Sequence, residues 1–386
     1  MNHLRQMGIV VVGLTLALAS GAQDAPPPDA GAADSASTMA ETKDRVTIHG
    51  YLSQAYAKSE DHQFIGIPTH GSFDYRRAAL LFRADVSDND SFVVQLAQRR
   101  LGNSPAMRLE PDVKLDWAFY EHRFEGGTSV RVGRLPSPLG IYSETRYVGT
   151  LLPLYRAPFN FYQEGSFTSE NINGVKVMQT IAPASPWNAE IHVFGGGLRM
   201  TQVYAGLVNS AFSENVVGAQ VWINTGLEGL RFGWGGQTFY LRNTILSADL
   251  EDRWETWVAS AELSRSRFRV SGEYSEIRFD SENNIKFRLP AYYVYGGLHL
   301  TDKLEAHVQF DSGDSTFEAG PLRFEFPDVY RDWTGGLSYR VRPDLVLKAE
   351  HHWVKGRLRE DNPVPLQPQF SPSDDRYFIL SLSASF

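Results

Sequence analysis

From residue 45 to the end, the chain is a series of segments whose apolar and polar residues alternate with a period of two, joined by connections that are short and long in turn. Such alternation makes strands with one apolar and one polar face. Strands are expected near 46–57, 73–87, from Phe92 onward, 113–124, 129–135, 175–181, 189–195 and 216–224. More follow near 230–242, 254–263, 268–279, 291–300, 304–311, 334–341, 345–355 and 377–386, about sixteen in all. Turn sequences close every second junction: Asp88-Asn89-Asp90, Gly126-Gly127, 183–186, 226–229, Arg265-Ser266, Thr301-Asp302-Lys303 and Arg342-Pro343-Asp344. A soluble sandwich has no reason to sort its loops by length, whereas a bilayer-spanning barrel has clipped turns at one end and long loops at the other. The expected fold is all-β, an antiparallel transmembrane β-barrel of about 16 strands over residues 45–386. Sixteen strands leave about 23 residues per strand and connection, enough for a spanning strand of about ten; eight would leave about 45 and twenty-two about 17.

The last strand separates lipid from water most clearly. Phe378, Leu380, Leu382, Ala384 and Phe386 face one way, and Ser381, Ser383 and Ser385 the other. As the edge of a soluble sheet it would expose an apolar, aggregation-prone face. The first residues carry Arg5, an apolar run over 8–19 and then Ser20-Gly21-Ala22, which reads as a secretory signal peptide over 1–22. That run is too short to span about 30 Å of hydrocarbon. Residues 23–44, with Pro26-Pro27-Pro28, lack an apolar period and read as a flexible leader.

Composition excludes other classes. With no cysteine, the chain has no disulfide and no thiolate metal site. A net charge of −8 argues against a nucleic-acid partner. Mean hydropathy is −0.30, and no second apolar run approaches the length of a spanning helix, so a helical membrane protein is excluded and a barrel is not. No cofactor or metal is expected. His351 and His352 are adjacent on a strand and point to opposite faces; His299 and His307 lie across a hairpin with no third ligand evident.

One connection stands apart. After Gly133-Arg134-Leu135-Pro136-Ser137-Pro138-Leu139-Gly140 the strand pattern does not resume until Asn171-Ile172-Asn173-Gly174. Pro136 and Pro138 cannot donate to a ladder, so the strand must stop. Tyr142, Tyr147, Tyr155, Phe159, Phe161, Tyr162 and Phe167 carry too much apolar surface for a solvated linker, so the segment is read as a loop folded into the lumen; an ordinary aromatic lid outside is the alternative.

This region resembles the fifth strand and inward-folded third extracellular loop of Gram-negative porins, and the Pro-x-x-Gly after an arginine- and glycine-bearing strand is similar to the phosphate-selective branch. The terminal aromatic resembles the assembly signal of outer-membrane barrels. The resemblance implies residence in the outer membrane among its lipids, homotrimeric assembly, and passive diffusion of small hydrophilic solutes or inorganic anions. The lysine-rich loop expected of a strongly phosphate-selective channel is missing.

Porin selectivity is set by charged side chains at the narrowest section. Strand parity points Arg77, Arg83, Arg99 and Arg131 inward from neighbouring strands, a basic wall. The loop carries Glu144, Glu164 and Glu170 against Arg146 and Arg156, a formal net of −1. These nine residues are the expected constriction. The alternative is that the arginines sit at different depths and pair with inward acids such as Asp85 and Asp116; Glu273, Glu305, Asp311 and Glu350 are further inward acids. Two other classes remain open, an outer-membrane barrel enzyme and a plugged structural or adhesive barrel.

Overall fold

The computed structural model describes residues 46–386 apart from 109–111, 164–169, 205–206, 243–251, 282–283 and 362–370. The expected signal peptide and leader lie outside the described residues, as does Glu164.

The described residues form sixteen strands: β1 Val46–Ser59, β2 Ser72–Asp85, β3 Asp90–Leu101, β4 Lys114–Arg123, β5 Thr128–Pro136, β6 Asn171–Ile181, β7 Asn188–Tyr204 and β8 Leu207–Asn224. The second half comprises β9 Leu230–Leu241, β10 Asp252–Ser264, β11 Phe268–Ser281, β12 Ile285–His299, β13 Leu304–Ala319, β14 Leu322–Arg342, β15 Leu345–Gly356 and β16 Ser373–Ser385. Every strand pairs with its sequence neighbours, and β1 closes on β16, giving a barrel with no free edge. The expected turns close one end, which also holds the start of β1 and the end of β16.

Alternation sorts the two surfaces. Outward, Leu80, Phe92, Val94, Val294, Leu380 and Leu382 are exposed as an apolar belt, while inward neighbours such as Arg77, Gln95, Ser381 and Ser383 are buried. Trp257–Tyr274, Tyr292–Phe310 and Phe310–Trp333 pack at ring-centroid distances of 5.0, 5.8 and 4.5 Å in an outward aromatic row. Amphipathic rings settle where a barrel surface passes from lipid to water.

Two details differ from the sequence reading. First, β7, β8, β12, β13 and β14 run well past the expected ends, so three connections read as long loops are extended hairpins. Beyond the bilayer a strand need not show lipid an apolar face, so the alternation fades while the ladder continues; Gly195-Gly196-Gly197, Pro290 and Pro327 hid these extensions further. Second, β4 contains a bulge. Gln95 lies opposite Trp117 and Leu96 opposite Leu115, leaving Asp116 as an extra residue. Lys114 and Asp116 therefore face inward as parity requires, but beyond the bulge Phe119 and Glu121 face inward, and Tyr120 packs outside against Phe92 at 5.3 Å.

At the long-loop end, residues 60–71 fold back over the lumen. Phe64, Ile65 and Ile67 are buried with Tyr75, Tyr155, Tyr330 and Tyr377. The Gly66 N–H donates to Glu360 Oε2 at 2.5 Å and Gln63 Nε2 donates to the same oxygen at 3.1 Å, tying this loop to the one after β15.

Candidate functional site: the loop inside the lumen

The loop between β5 and β6 is pinned at its base, where Ser137 N–H donates to the Glu170 carbonyl at 2.9 Å. Leaving the sheet exposes backbone groups that must find partners. The inward side chains of the wall supply them. Ile141 N–H donates to Glu273 at 2.8 Å, Tyr155 N–H to Glu350 at 2.6 Å, and Asn160 N–H to Asp311 at 3.1 Å. In the opposite sense, Lys348 Nζ donates to the carbonyls of Gly149, Leu152 and Leu154 at 2.7, 2.5 and 3.0 Å, and Ser338 Oγ to that of Pro153 at 3.2 Å. Gly149 lies so close to Ser53 and Ser383 that a Cβ would overlap their hydroxyls. These contacts come from β1, β11, β13, β14, β15 and β16, so the loop crosses the lumen. Its aromatics fill the interior: Tyr142, Tyr155 and Tyr162 are buried, with Tyr142 and Tyr162 against Tyr293 and Tyr295 of β12.

The candidate charges fall into two groups. Arg77 and Arg99 are register partners on β2 and β3. Arg77 donates to the Tyr155 carbonyl and lies 4.5 Å from the Tyr155 ring centroid. Arg99 pairs with Asp116 at 2.9 Å and with Glu170, its guanidinium 3.8 Å from the Tyr147 centroid. Glu170 also takes the Tyr147 hydroxyl and Lys114, the latter at 3.4 Å. Arg146 is buried near Tyr162 at 5.3 Å, and Arg156 reaches the Tyr377 hydroxyl at 3.5 Å. Two adjacent guanidiniums are tolerated because aromatic faces and two carboxylates lie between and around them.

The second group lies towards the short turns. Arg83 stands six residues beyond Arg77 on β2, roughly 20 Å at 3.3–3.4 Å per residue, and pairs with Asp85 at 2.9 Å. Arg131 bridges Glu121 at 2.5 Å and Glu144 at 3.1 Å, and Lys176 holds Glu144 at 2.8 Å. The four wall arginines therefore occupy two levels along the strands, and Arg83, Arg99 and Arg131 stand in ion pairs, unlike the open basic wall expected from parity.

Sequence reasoning missed Lys348, Ser338, Lys176 and Glu121. Parity on β15 puts Lys348, Glu350 and His352 on one face, the signal that would have found the loop's anchors. His352 pairs with Asp332 at 2.8 Å inside the barrel, and His351 lies outside against Trp353. His299 and His307 approach Glu305 at 3.8 and 3.7 Å.

Beneath residues 150–153 of the loop lies a cavity of about 210 Å³, lined by Arg269, His299, Glu305, Ser338, Arg340 and Lys348 and reaching the turn residues Arg265, Asp302 and Lys303. It opens to the short-turn end, and its cations outnumber its carboxylates.

No family model matches this sequence, and no curated protein does. Solved structures of outer-membrane proteins share the fold. OmpF of Salmonella typhi, in complex with daunomycin, superposes with a TM-score of 0.58 at 10% identity over 88% of this chain and 97% of that one. An anion-selective porin from Comamonas acidovorans gives 0.56 at 12% identity, over 88% and 99%. OmpT of Vibrio cholerae gives 0.56 at 12%, over 88% and 97%.

Proposed function

We propose that this protein is an outer-membrane channel for the passive diffusion of small hydrophilic solutes and ions, that it prefers anions, inorganic phosphate among them, and that it assembles as a homotrimer. One observation carries the reading: a closed barrel with an apolar outer belt encloses a polar interior whose cavity is lined by more cations than carboxylates. The fold shared with an anion-selective porin supports it. The constriction in this reading is the passage left beside the loop, bounded by Arg131 and Glu144 on one side and Lys348 on the other. Arg77, Arg99, Arg146, Arg156 and Glu170 hold the loop in shape rather than face the solute.

A second reading, a plugged barrel, is favoured by the loop's contacts with strands all around the wall. Single-channel recording in planar bilayers separates the two. A channel gives discrete conductance steps and, in a salt gradient, a reversal potential on the anion side; silence at every voltage sinks the channel reading in favour of the plug.

A further inference from the structure

The cavity beneath the loop combines charge and apolar surface in a way that general permeation does not use. Lys348 is engaged with three loop carbonyls, Arg269 with Glu262 at 3.0 Å, and Arg265 with Glu228 at 3.3 Å. Arg340 and Lys303 form no ion pair among the described residues, and they are neighbours, with Arg340 N–H donating to the Lys303 carbonyl at 2.7 Å. Both side chains are exposed at the mouth. The roof is different in character, made by Leu151, Leu152 and Pro153 of the loop with Val346 of β15.

We propose that this cavity is a binding site for a small monocarboxylate with an apolar body, its carboxylate on Arg340 and Lys303 and its carbon skeleton against Leu152 and Pro153. A guanidinium matches a carboxylate in two parallel hydrogen bonds, and an adjacent ammonium adds a point charge. Inorganic phosphate has no surface for the apolar roof to desolvate. A dicarboxylate reaching inward would bring its second charge to Glu305, which already faces His299 and His307. The volume, roughly that of seven waters, suits a compact organic acid.

The proposal rests on the channel reading only for which mouth faces the periplasm; binding itself does not require conduction. The test is calorimetric titration of the full barrel, folded in detergent, with benzoate, acetate and phosphate. Benzoate is expected to bind more tightly than either of the others. The double variant Arg340→Ala/Lys303→Ala is expected to weaken benzoate at least tenfold, and Leu152→Ser to erase its advantage over acetate. Unchanged benzoate affinity in the double variant overturns the site, as does phosphate binding as tightly as benzoate, or no benzoate heat at millimolar concentration. A silent barrel that still binds benzoate in this pattern fails as a channel and keeps the site. A conducting barrel without it does the reverse.

Discussion

Lys348 Nζ lies 2.7 Å from the Gly149 carbonyl, fixing the loop where its backbone presses on Ser53 and Ser383. The same ammonium holds two more carbonyls, so one wall residue makes three of the contacts that place residues 149–154. Lys348→Met keeps most of the volume and removes all three donors. A buried carbonyl left without its donor costs about 1–3 kcal/mol, and three such losses together are enough to free this part of the loop. The variant is expected to conduct more, with more open-channel noise, and to lose its heat-resistant folded form at a lower temperature. Wild-type conductance together with wild-type heat resistance would mean that Lys348 does not hold the loop.

A second latch lies at the long-loop end. Burial pushes the Glu360 carboxyl up from 4.5 to about 7, against the lowering effect of the Gly66 and Gln63 hydrogen bonds. A raised folded-state value means that the folded form binds more protons than the unfolded form between these two values. The contribution to stability is therefore full below about 4.5 and declines as pH rises towards about 7. Hydrogen exchange, corrected for its intrinsic pH dependence, should show residues 60–71 better protected at pH 5 than at pH 7.5, and Glu360→Gln should abolish the difference. Equal protection at both pH values in the parent protein would sink the argument.

The barrel was legible because lipid reads every second residue, as in Phe378, Leu380 and Leu382, and because the turn sequences mark one end. Outside the bilayer that reader is absent, and the hairpin extensions of β7, β8, β12, β13 and β14 went unseen. The lumen was half legible. Parity placed Arg77, Arg99 and Arg131 inward, but it carries no depth, no bulge at Asp116, and no account of what a loop residue 32 positions away in sequence brings, as Glu144 does to Lys176. That distance in the chain is closed by folding alone.

At the short-turn end the ladder that closes β1 on β16 finishes with Gly50 and Phe386, which exchange both backbone hydrogen bonds at 2.9 and 3.0 Å. The Phe386 ring lies over Gly50 on the lipid side, where a Cβ would come within 2.5 Å of it. Gly50→Val is expected to displace the ring, at about 1–3 kcal/mol for such overpacking, and to lower the yield of heat-resistant protein in outer membranes. Deleting Phe386, which also removes both hydrogen bonds, should lower it further. Full yield from the deletion strain would show that closure does not depend on this pair.

The ion preference can be read from Arg131 and Arg83 because the two differ in setting. Arg131 is mostly buried between Glu121 and Glu144, and each acid keeps one other partner, Arg123 and Lys176 respectively, both at 2.8 Å. Arg131→Ala therefore removes one positive charge without stranding either carboxylate. Arg83 is more exposed and, among the described residues, pairs with Asp85 alone. Each substitution should move the reversal potential in a salt gradient towards cations, since a guanidinium stays charged at any working pH. Screening then distinguishes them. The Debye length falls from about 10 Å at 0.1 M to about 3 Å at 1 M, and it acts on exposed charges far more than on buried ones. The Arg83→Ala shift should fade across that range while the Arg131→Ala shift persists, and the double variant should show their sum at low salt. If the double variant keeps the parent reversal potential at 0.1 M, neither arginine borders the ion path, and the preference has to be sought at Arg340 and Lys303.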